Sequence, residues 1–135
     1  MLLLCCKVGH NMNDKKIVLV VDDSEIIKKV ITKALDEKYY IIEASNGQEA
    51  VDIINNVGDI YTVLLDLNMP DYDGFYVLDY MKENNLFKKT KVFIISGDDT
   101  KETIDKAFTY DIVDMINKPF STSSIESKIS ENTGN

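Results

Sequence analysis

The chain is short of cysteine and of long apolar runs, and each shortage narrows the classes of protein that it can belong to. Its 135 residues include only two cysteines, Cys5 and Cys6, which are adjacent and therefore poorly placed to form a disulfide with each other. A chain body without cysteine fits a reducing cytosol, so we expect a cytoplasmic protein. No apolar run approaches the length that crosses a membrane, so we expect no membrane role.

Basic residues are also scarce, with 15 Lys and Arg against 23 Asp and Glu, which gives a net charge of −8. Direct binding of nucleic acid relies on clustered Lys and Arg that contact phosphates, so this balance argues against it. The acidic excess is better suited to holding a cation. For most of the acidic residues, solubility alone is a sufficient explanation.

The length and the 44% hydrophobic share fit one domain with one core, and the chain contains no linker, repeat or low-complexity segment. Residues 1–14 are predicted to be a disordered leader. Their apolar part, residues 2–6, is too short for a signal peptide and is followed by no small-residue cleavage site. Met12 is an alternative start of translation. The domain is predicted at 15–130, with a frayed tail at 131–135.

Five short apolar runs alternate with five segments of helical periodicity. A fivefold strand–helix alternation predicts an α/β fold with a doubly wound, five-stranded parallel sheet and helices on both faces. The common strand order for such a sheet is 2-1-3-4-5. The strands are predicted at 15–21, 39–44, 63–65, 91–96 and 111–116, and the helices at 24–35, 48–57, 75–85, 102–108 and 121–135.

Polar side chains follow the strands at the carboxyl edge of this sheet. Asp22 and Asp23 end the first strand, Asp66 ends the third, Ser96 ends the fourth and Lys118 follows the fifth. Strands one and three are neighbours in the order 2-1-3-4-5, so three carboxylates crowd together and repel each other unless a cation is bound. Because all of these ligands are oxygens, we expect Mg²⁺ or Mn²⁺ rather than Zn²⁺.

A lysine and a hydroxyl that face this acid cluster suit the oxygens of a phosphoryl group. The chemistry implied is phosphoryl transfer to a carboxylate, with Asp66 as the nucleophile and the metal screening its charge. Plainer interpretations exist for single residues: Asp66 as a turn residue at a strand end, Asp22 as a helix cap and Ser96 as a strand-end hydroxyl.

Four motifs in this order resemble the response-regulator receiver domain of two-component signalling, the CheY-like family. They are Val-Asp-Asp-Ser at 21–24, Asp-Leu-Asn-Met-Pro-Asp-Tyr-Asp-Gly at 66–74, the serine at 96 and Lys-Pro-Phe at 118–120. Each motif alone is weak, but the ordered combination is specific and covers about residues 15–130. The resemblance implies the CheY/flavodoxin-like fold.

The resemblance also implies roles for individual residues. Asp66 corresponds to the phosphoacceptor and Asp23 to a direct Mg²⁺ ligand, while Asp22 holds the metal through water and Asn68 offers its backbone carbonyl. Ser96 corresponds to the switch hydroxyl.

Lys118 corresponds to the lysine that pairs with a phosphoryl oxygen, and the bond before Pro119 is expected to be cis. Asn68 and Asp98 occupy positions that tune dephosphorylation and predict a short-lived phosphoryl group. Met115 stands at a switch position where the family usually has Tyr or Phe, so an aromatic readout is not expected. Methionine can still repack there.

The function that follows is a phosphoacceptor switch rather than an enzyme with a separate substrate. A histidine kinase or histidine phosphotransfer protein is the expected donor, and the output partner is expected to be a protein that contacts the face of helix 4, strand 5 and helix 5. Two alternatives stay open: a receiver from a longer regulator with a C-terminal effector domain, and an aspartyl-phosphate phosphatase. The phosphatase needs a second acid where this chain has Asn68.

Overall fold

The structure, a computed structural model, describes residues 15–132 as five strands and five helices in strict alternation. The predicted leader at 1–14 lies outside the described residues. No helix within 15–132 is both long enough and apolar enough to span a membrane. The strands are β1 Lys16–Val21, β2 Tyr39–Ala44, β3 Thr62–Asp66, β4 Lys91–Ser96 and β5 Asp114–Asn117. The helices are α1 Glu25–Leu35, α2 Gly47–Val57, α3 Gly74–Glu83, α4 Lys101–Ala107 and α5 Thr122–Asn132.

All five strands are parallel, and their order across the sheet is β2-β1-β3-β4-β5. This is the order 2-1-3-4-5, so the predicted fold class is confirmed. The register pairs Val21 with Leu65 and Asp66 with Ile95. The carboxyl ends of β1, β3 and β4 therefore meet at one edge of the sheet.

The three inner strands β1, β3 and β4 are buried on both faces over most of their length, which explains why they are apolar without alternation. Val18 and Val20 of β1 pack on the side of α1 and α5, whereas Leu19 and Val21 pack on the side of α2, α3 and α4. Central strand β3 is buried along its whole length. In this strand, polar side chains can therefore reach the surface only beyond its ends.

The last strand and helix differ from the prediction. The strand was expected at 111–116, but β5 begins only at Asp114. The last helix was expected to be weak because Ile125 and Ile129 are its only apolar pair, yet it runs for 11 residues and both side chains are buried. It extends to Asn132, so the first two residues of the predicted tail at 131–135 are helical, and 133–135 lie outside the described part of the chain.

Helix α1 begins as predicted, since the Ser24 hydroxyl accepts a hydrogen bond from the amide of Ile27 at 3.2 Å. Its buried face is the predicted one only in part: Ile31 and Leu35 are buried as predicted, but Val30 is exposed. The sequence pattern places Ile26 with the inward residues, but its side chain is 76% exposed. Lys28 is buried instead, with only 2% of its surface exposed. The apolar pattern of this helix is therefore rotated relative to the core.

The hydroxyl of Thr62 is the one buried side-chain polar atom within 15–132 that has no hydrogen-bond partner. A buried hydroxyl without a partner carries a desolvation cost, whereas a valine of the same shape does not. Thr62→Val is therefore expected to raise the free energy of unfolding by about 1 kcal/mol, measured by urea denaturation.

The matched control is Thr90→Val, because the buried Thr90 hydroxyl donates a hydrogen bond to the carbonyl of Ile60 at 2.6 Å. This second substitution is expected to lower the free energy of unfolding by about 1 kcal/mol. Equal destabilisation by both substitutions would contradict the assignment of Thr62 as an unpaired group.

Candidate functional site

Three carboxylates meet at the carboxyl edge of the sheet. Asp22 and Asp23 follow β1, Asp66 ends the neighbouring β3, and one oxygen from each lies within 4.8 Å of the other two. Asp22 and Asp66 are buried, whereas Asp23 is exposed. The structure thus brings together the three acids that the sequence places at this edge, and one of them faces solvent.

Lys118 is the cation that contacts this cluster. Its ammonium nitrogen Nζ lies 3.1 Å from Asp22 Oδ2 and 3.5 Å from Asp66 Oδ2. Its backbone N–H donates to the carbonyl of Ser96 at 2.9 Å, and its bond to Pro119 is cis, as the resemblance implied. One ammonium group facing three carboxylates leaves the site with an excess of negative charge.

Besides burial, the excess of negative charge is one of the causes that raise the pKa of Asp66. Burial, followed by the charge of Asp22, raises the pKa of Asp66 to about 6. A hydrogen bond from the amide of Asn68, 3.2 Å from Asp66 Oδ1, and the ammonium of Lys118 act in the opposite direction. The negative form of this carboxylate is therefore disfavoured, and a bound cation would relieve the strain between the charges.

Two loops hold the acids in place. After β1, the backbone amide of Ser24 donates to Asp22 Oδ1 at 2.9 Å. After β3, the loop returns to the strand end at Gly74, where a Cβ atom would lie only 2.6 Å from the carbonyl oxygen of Asp66. Only glycine fits this close approach, so the end of the loop packs directly against the backbone of Asp66.

Ser96 is buried at the end of β4, next to the start of α4. Its hydroxyl accepts a hydrogen bond from the backbone amide of Asp98 at 3.0 Å. The carboxylate of Asp98 accepts from the amide of Thr100 at 3.0 Å and from the hydroxyl of Thr103 at 2.8 Å, and these bonds lower its pKa. Ser96 is thus connected through Asp98 to the first turn of α4.

The other two residues singled out from the sequence lie at different depths. Asn68 is exposed in the loop after β3. Met115 in β5 is partly buried and packs against the core on the side of α2, α3 and α4. Its backbone amide is bonded to the carboxylate of Asp114 at 2.8 Å. The bulky, flexible side chain of Met115 therefore fills space between β5 and this part of the core.

The motifs do not contain Lys28 or the neighbouring Ser45 and Gly47, which lie beside the acid-bearing loops. A signal for Lys28 was available, because it shares helical spacing with Ile31 and Leu35, the buried face of α1. The apolar residues around it obscured that signal. No periodic signal could have shown that Gly47 contacts the loop after β3.

A parallel sheet of this order, with three acids and one lysine at its carboxyl edge, defines a receiver domain of the response-regulator class. The sequence model of the family "Response regulator receiver domain" matches residues 18–130. The chain therefore belongs to this family.

Individual relatives agree with this assignment. Chemotaxis protein CheY1 of Helicobacter pylori strain J99 is 27% identical, over 83% of this chain and 92% of its own. Transcriptional regulatory protein SrrA of Staphylococcus aureus is 34% identical, over 77% of this chain, which spans 42% of SrrA. A chain in the crystal structure of the CheX–CheY–BeF3–Mg²⁺ complex of Borrelia burgdorferi is 28% identical, over 86% of this chain and 87% of that one, with a TM-score of 0.76.

Proposed function

We propose that the chain is a phosphoacceptor switch in which Asp66 takes a phosphoryl group from a phosphohistidine. The donor is a histidine kinase or a histidine phosphotransfer protein. One observation carries the proposal: the buried Asp66 carboxylate lies at the end of β3 with two further carboxylates within 4.8 Å and the ammonium of Lys118 at 3.5 Å. This is the set of groups that transfer to a carboxylate requires.

In the reaction, an oxygen of the Asp66 carboxylate attacks phosphorus. A new O–P bond forms as the N–P bond of the phosphohistidine breaks, and the electron pair of that bond stays on the imidazole nitrogen. Lys118 pairs with an oxygen of the transferred group, and the hydroxyl of Ser96 donates a hydrogen bond to another. Catalysis is confined to the protein's own phosphorylation and dephosphorylation.

The donor set fits a divalent cation. Three oxygen ligands, a surplus of negative charge and the raised pKa of Asp66 favour Mg²⁺, with Mn²⁺ as a substitute. The residues that would hold it are Asp22, Asp23, Asp66 and Asn68, the last through its backbone carbonyl. When bound, the metal supplies positive charge that screens the carboxylates from the incoming phosphate. The related Borrelia complex, which contains BeF3 and Mg²⁺, supports this choice.

The output follows from the connection between Ser96 and α4. When the hydroxyl turns toward the phosphoryl group, it gives up its bond to the amide of Asp98, so the start of α4 loses a contact. Met115 repacks behind β5, and the surface formed by α4, β5 and α5 changes. A cytoplasmic protein partner, rather than nucleic acid or a membrane, reads this surface. Asn68 and Asp98 give the phosphoryl group a short lifetime.

A second candidate is the receiver part of a longer regulator, and the partial coverage of SrrA supports it. The two candidates predict different oligomeric states for the activated protein. Light scattering with Mg²⁺ and beryllofluoride would show a dimer if output is by self-association, as suits a receiver with an effector domain. A monomer would favour a stand-alone switch that signals to a different protein.

The proposal is tested by incubating the full chain with a small-molecule phosphodonor and measuring its intact mass. We expect one phosphoryl group per chain in the presence of Mg²⁺ and none with excess EDTA. Peptide mapping should place the group on the fragment that contains Asp66. Incorporation at another residue, or incorporation that is indifferent to EDTA, would rule the proposal out.

A further inference from the structure

We propose that Lys28 is a positioning residue that braces the loops after β2 and β3 and thereby sets the geometry of the metal and phosphoryl site. The inference rests on the proposed function for what the site binds. The brace itself rests on contacts that link helix α1 to the β2–α2 loop and that loop to the β3–α3 loop.

The first contact is that of a buried ammonium group. Lys28 Nζ donates to the hydroxyl of Ser45, in the loop after β2, and lies 2.9 Å from Glu25 Oε2. Only 2% of the Lys28 side chain is exposed, whereas 70% of its carboxylate partner is exposed. Burying a charge is costly, and an apolar side chain would fill this place more favourably. The lysine therefore serves a contact rather than stability, and Ser45 is what it contacts in the loop.

The second contact stiffens the β2–α2 loop. The amide of Ser45 donates to Glu49 Oε1 at 2.6 Å, and the amide of Glu49 donates to the side chain of Asn46 at 2.9 Å. These reciprocal bonds fasten the loop to the first turn of α2, in the manner of a capping box. A restraint applied at Ser45 is therefore passed on to Gly47, two residues later.

The third contact joins this loop to the one that carries the site. The amide of Gly47 donates to the carbonyl of Tyr72 at 2.7 Å, and a Cβ atom at Gly47 would lie only 2.2 Å from that oxygen. Tyr72 has a backbone φ of 51°, an unfavourable conformation for an aromatic residue. Such a conformation persists only where its surroundings hold it. The Gly47 bond supplies that support within the β3–α3 loop.

The β3–α3 loop, residues 67–73, contains Asn68 and leads to Gly74 beside the end of β3, so its shape sets the position of the Asn68 carbonyl relative to Asp66. Loss of the brace would let the loop relax without unfolding the domain. Ligand geometry that is loosened by fractions of an ångström weakens binding and slows reaction. We therefore expect replacement of Lys28 to weaken metal binding and to slow phosphoryl transfer, while the protein remains folded.

The experiment compares Lys28→Met with Lys33→Met, which removes the same charge from an exposed position on the same helix. Mg²⁺ dissociation constants are measured by calorimetry, and exchange of the Gly47 amide is measured by NMR. Lys28→Met is expected to weaken Mg²⁺ binding about tenfold, as for residues that orient metal ligands, and to accelerate Gly47 exchange. Lys33→Met should leave both unchanged.

Ser45→Ala removes the acceptor without changing charge, and it tests the brace even where Lys28→Met fails to fold. It is expected to weaken Mg²⁺ binding by a similar factor, and the double variant should be no weaker than Lys28→Met alone. Additive losses in the double variant, or a folded Lys28→Met variant that binds Mg²⁺ as the wild type does, would overturn the inference.

The two proposals fail in different ways. A wild-type chain that neither binds Mg²⁺ nor accepts a phosphoryl group would refute the proposed function. In that case the exchange rate of the Gly47 amide still tests whether Lys28 braces the loops, because that measurement requires no metal. Unchanged Gly47 exchange in Lys28→Met would overturn the brace whatever the site binds.

Discussion

Asp66→Asn is expected to abolish phosphoryl incorporation and, at neutral pH, to stabilise the folded protein. The loss follows because an amide at this position offers no nucleophilic carboxylate. The gain follows because the substitution removes a buried negative charge from beside Asp22. Few substitutions are expected to eliminate function while strengthening the fold, so the combination is diagnostic of the site.

The size and pH dependence of this gain follow from the pKa of Asp66. The folded protein raises that pKa from 3.8 to about 6, mainly through burial and then through Asp22. Between these two values the folded chain keeps a proton that the unfolded chain releases, so stability falls as the pH rises. Asp66→Asn does not suffer this loss and should be about 3 kcal/mol more stable than the wild type at pH 7 without Mg²⁺. The advantage should disappear below about pH 4.

Urea denaturation at several pH values, together with intact-mass measurement of phosphorylation, checks both effects. Asp52→Asn, an exposed position on α2, is the control and should alter neither quantity. A gain that does not depend on pH would show that repulsion at Asp66 is not its source. Residual incorporation in Asp66→Asn would move the phosphoacceptor elsewhere.

Lys118→Met is expected to slow phosphorylation about 100-fold, because it removes a charged donor placed to meet the developing charge on the phosphoryl oxygens. It also leaves the carboxylates of Asp22 and Asp66 without their ammonium partner at 3.1 and 3.5 Å. The metal-free protein should therefore lose about 2 kcal/mol of stability, a modest value because 23% of the lysine side chain is exposed. Mg²⁺ should restore part of this stability.

The rate with a small-molecule phosphodonor and the free energy of unfolding with and without Mg²⁺ measure these effects. Lys88→Met, exposed in the loop between α3 and β4 and therefore at the opposite edge of the sheet, is the matched control. A phosphorylation rate within a few-fold of the wild type would remove Lys118 from the reaction.

The sequence was sufficient for the sheet and for the acid edge, for a physical reason. Strands covered on both faces must be apolar throughout, so β3 is visible as the run from Val63 to Leu65 and ends at the first charge, Asp66. Parallel strands share one carboxyl edge, and the usual order makes β1 and β3 neighbours. Proximity of Asp22 and Asp66 then follows without any knowledge of loops.

Contacts between loops could not be predicted in this way. The bond between Gly47 and Tyr72 joins two segments of irregular backbone, and neither periodicity nor composition records such a bond. The ends of some helices and strands could not be predicted from the sequence either. Ile112 is buried beside β5 but lies outside the strand, so its apolar character extended the predicted strand by three residues. For α5, two fully buried isoleucines anchor a helix whose overall pattern is weak.

The rotated pattern of α1 has a consequence for protein engineering. A redesign for thermal tolerance would replace the buried Lys28 with an apolar side chain and the exposed Ile26 with a polar one, since both exchanges improve hydropathy. The first exchange would remove the hydrogen bond that Lys28 donates to the hydroxyl of Ser45. The stability gained at Lys28 would therefore come at the expense of the loop geometry that this lysine holds, and Lys28 is the position of α1 that such a redesign should leave unchanged.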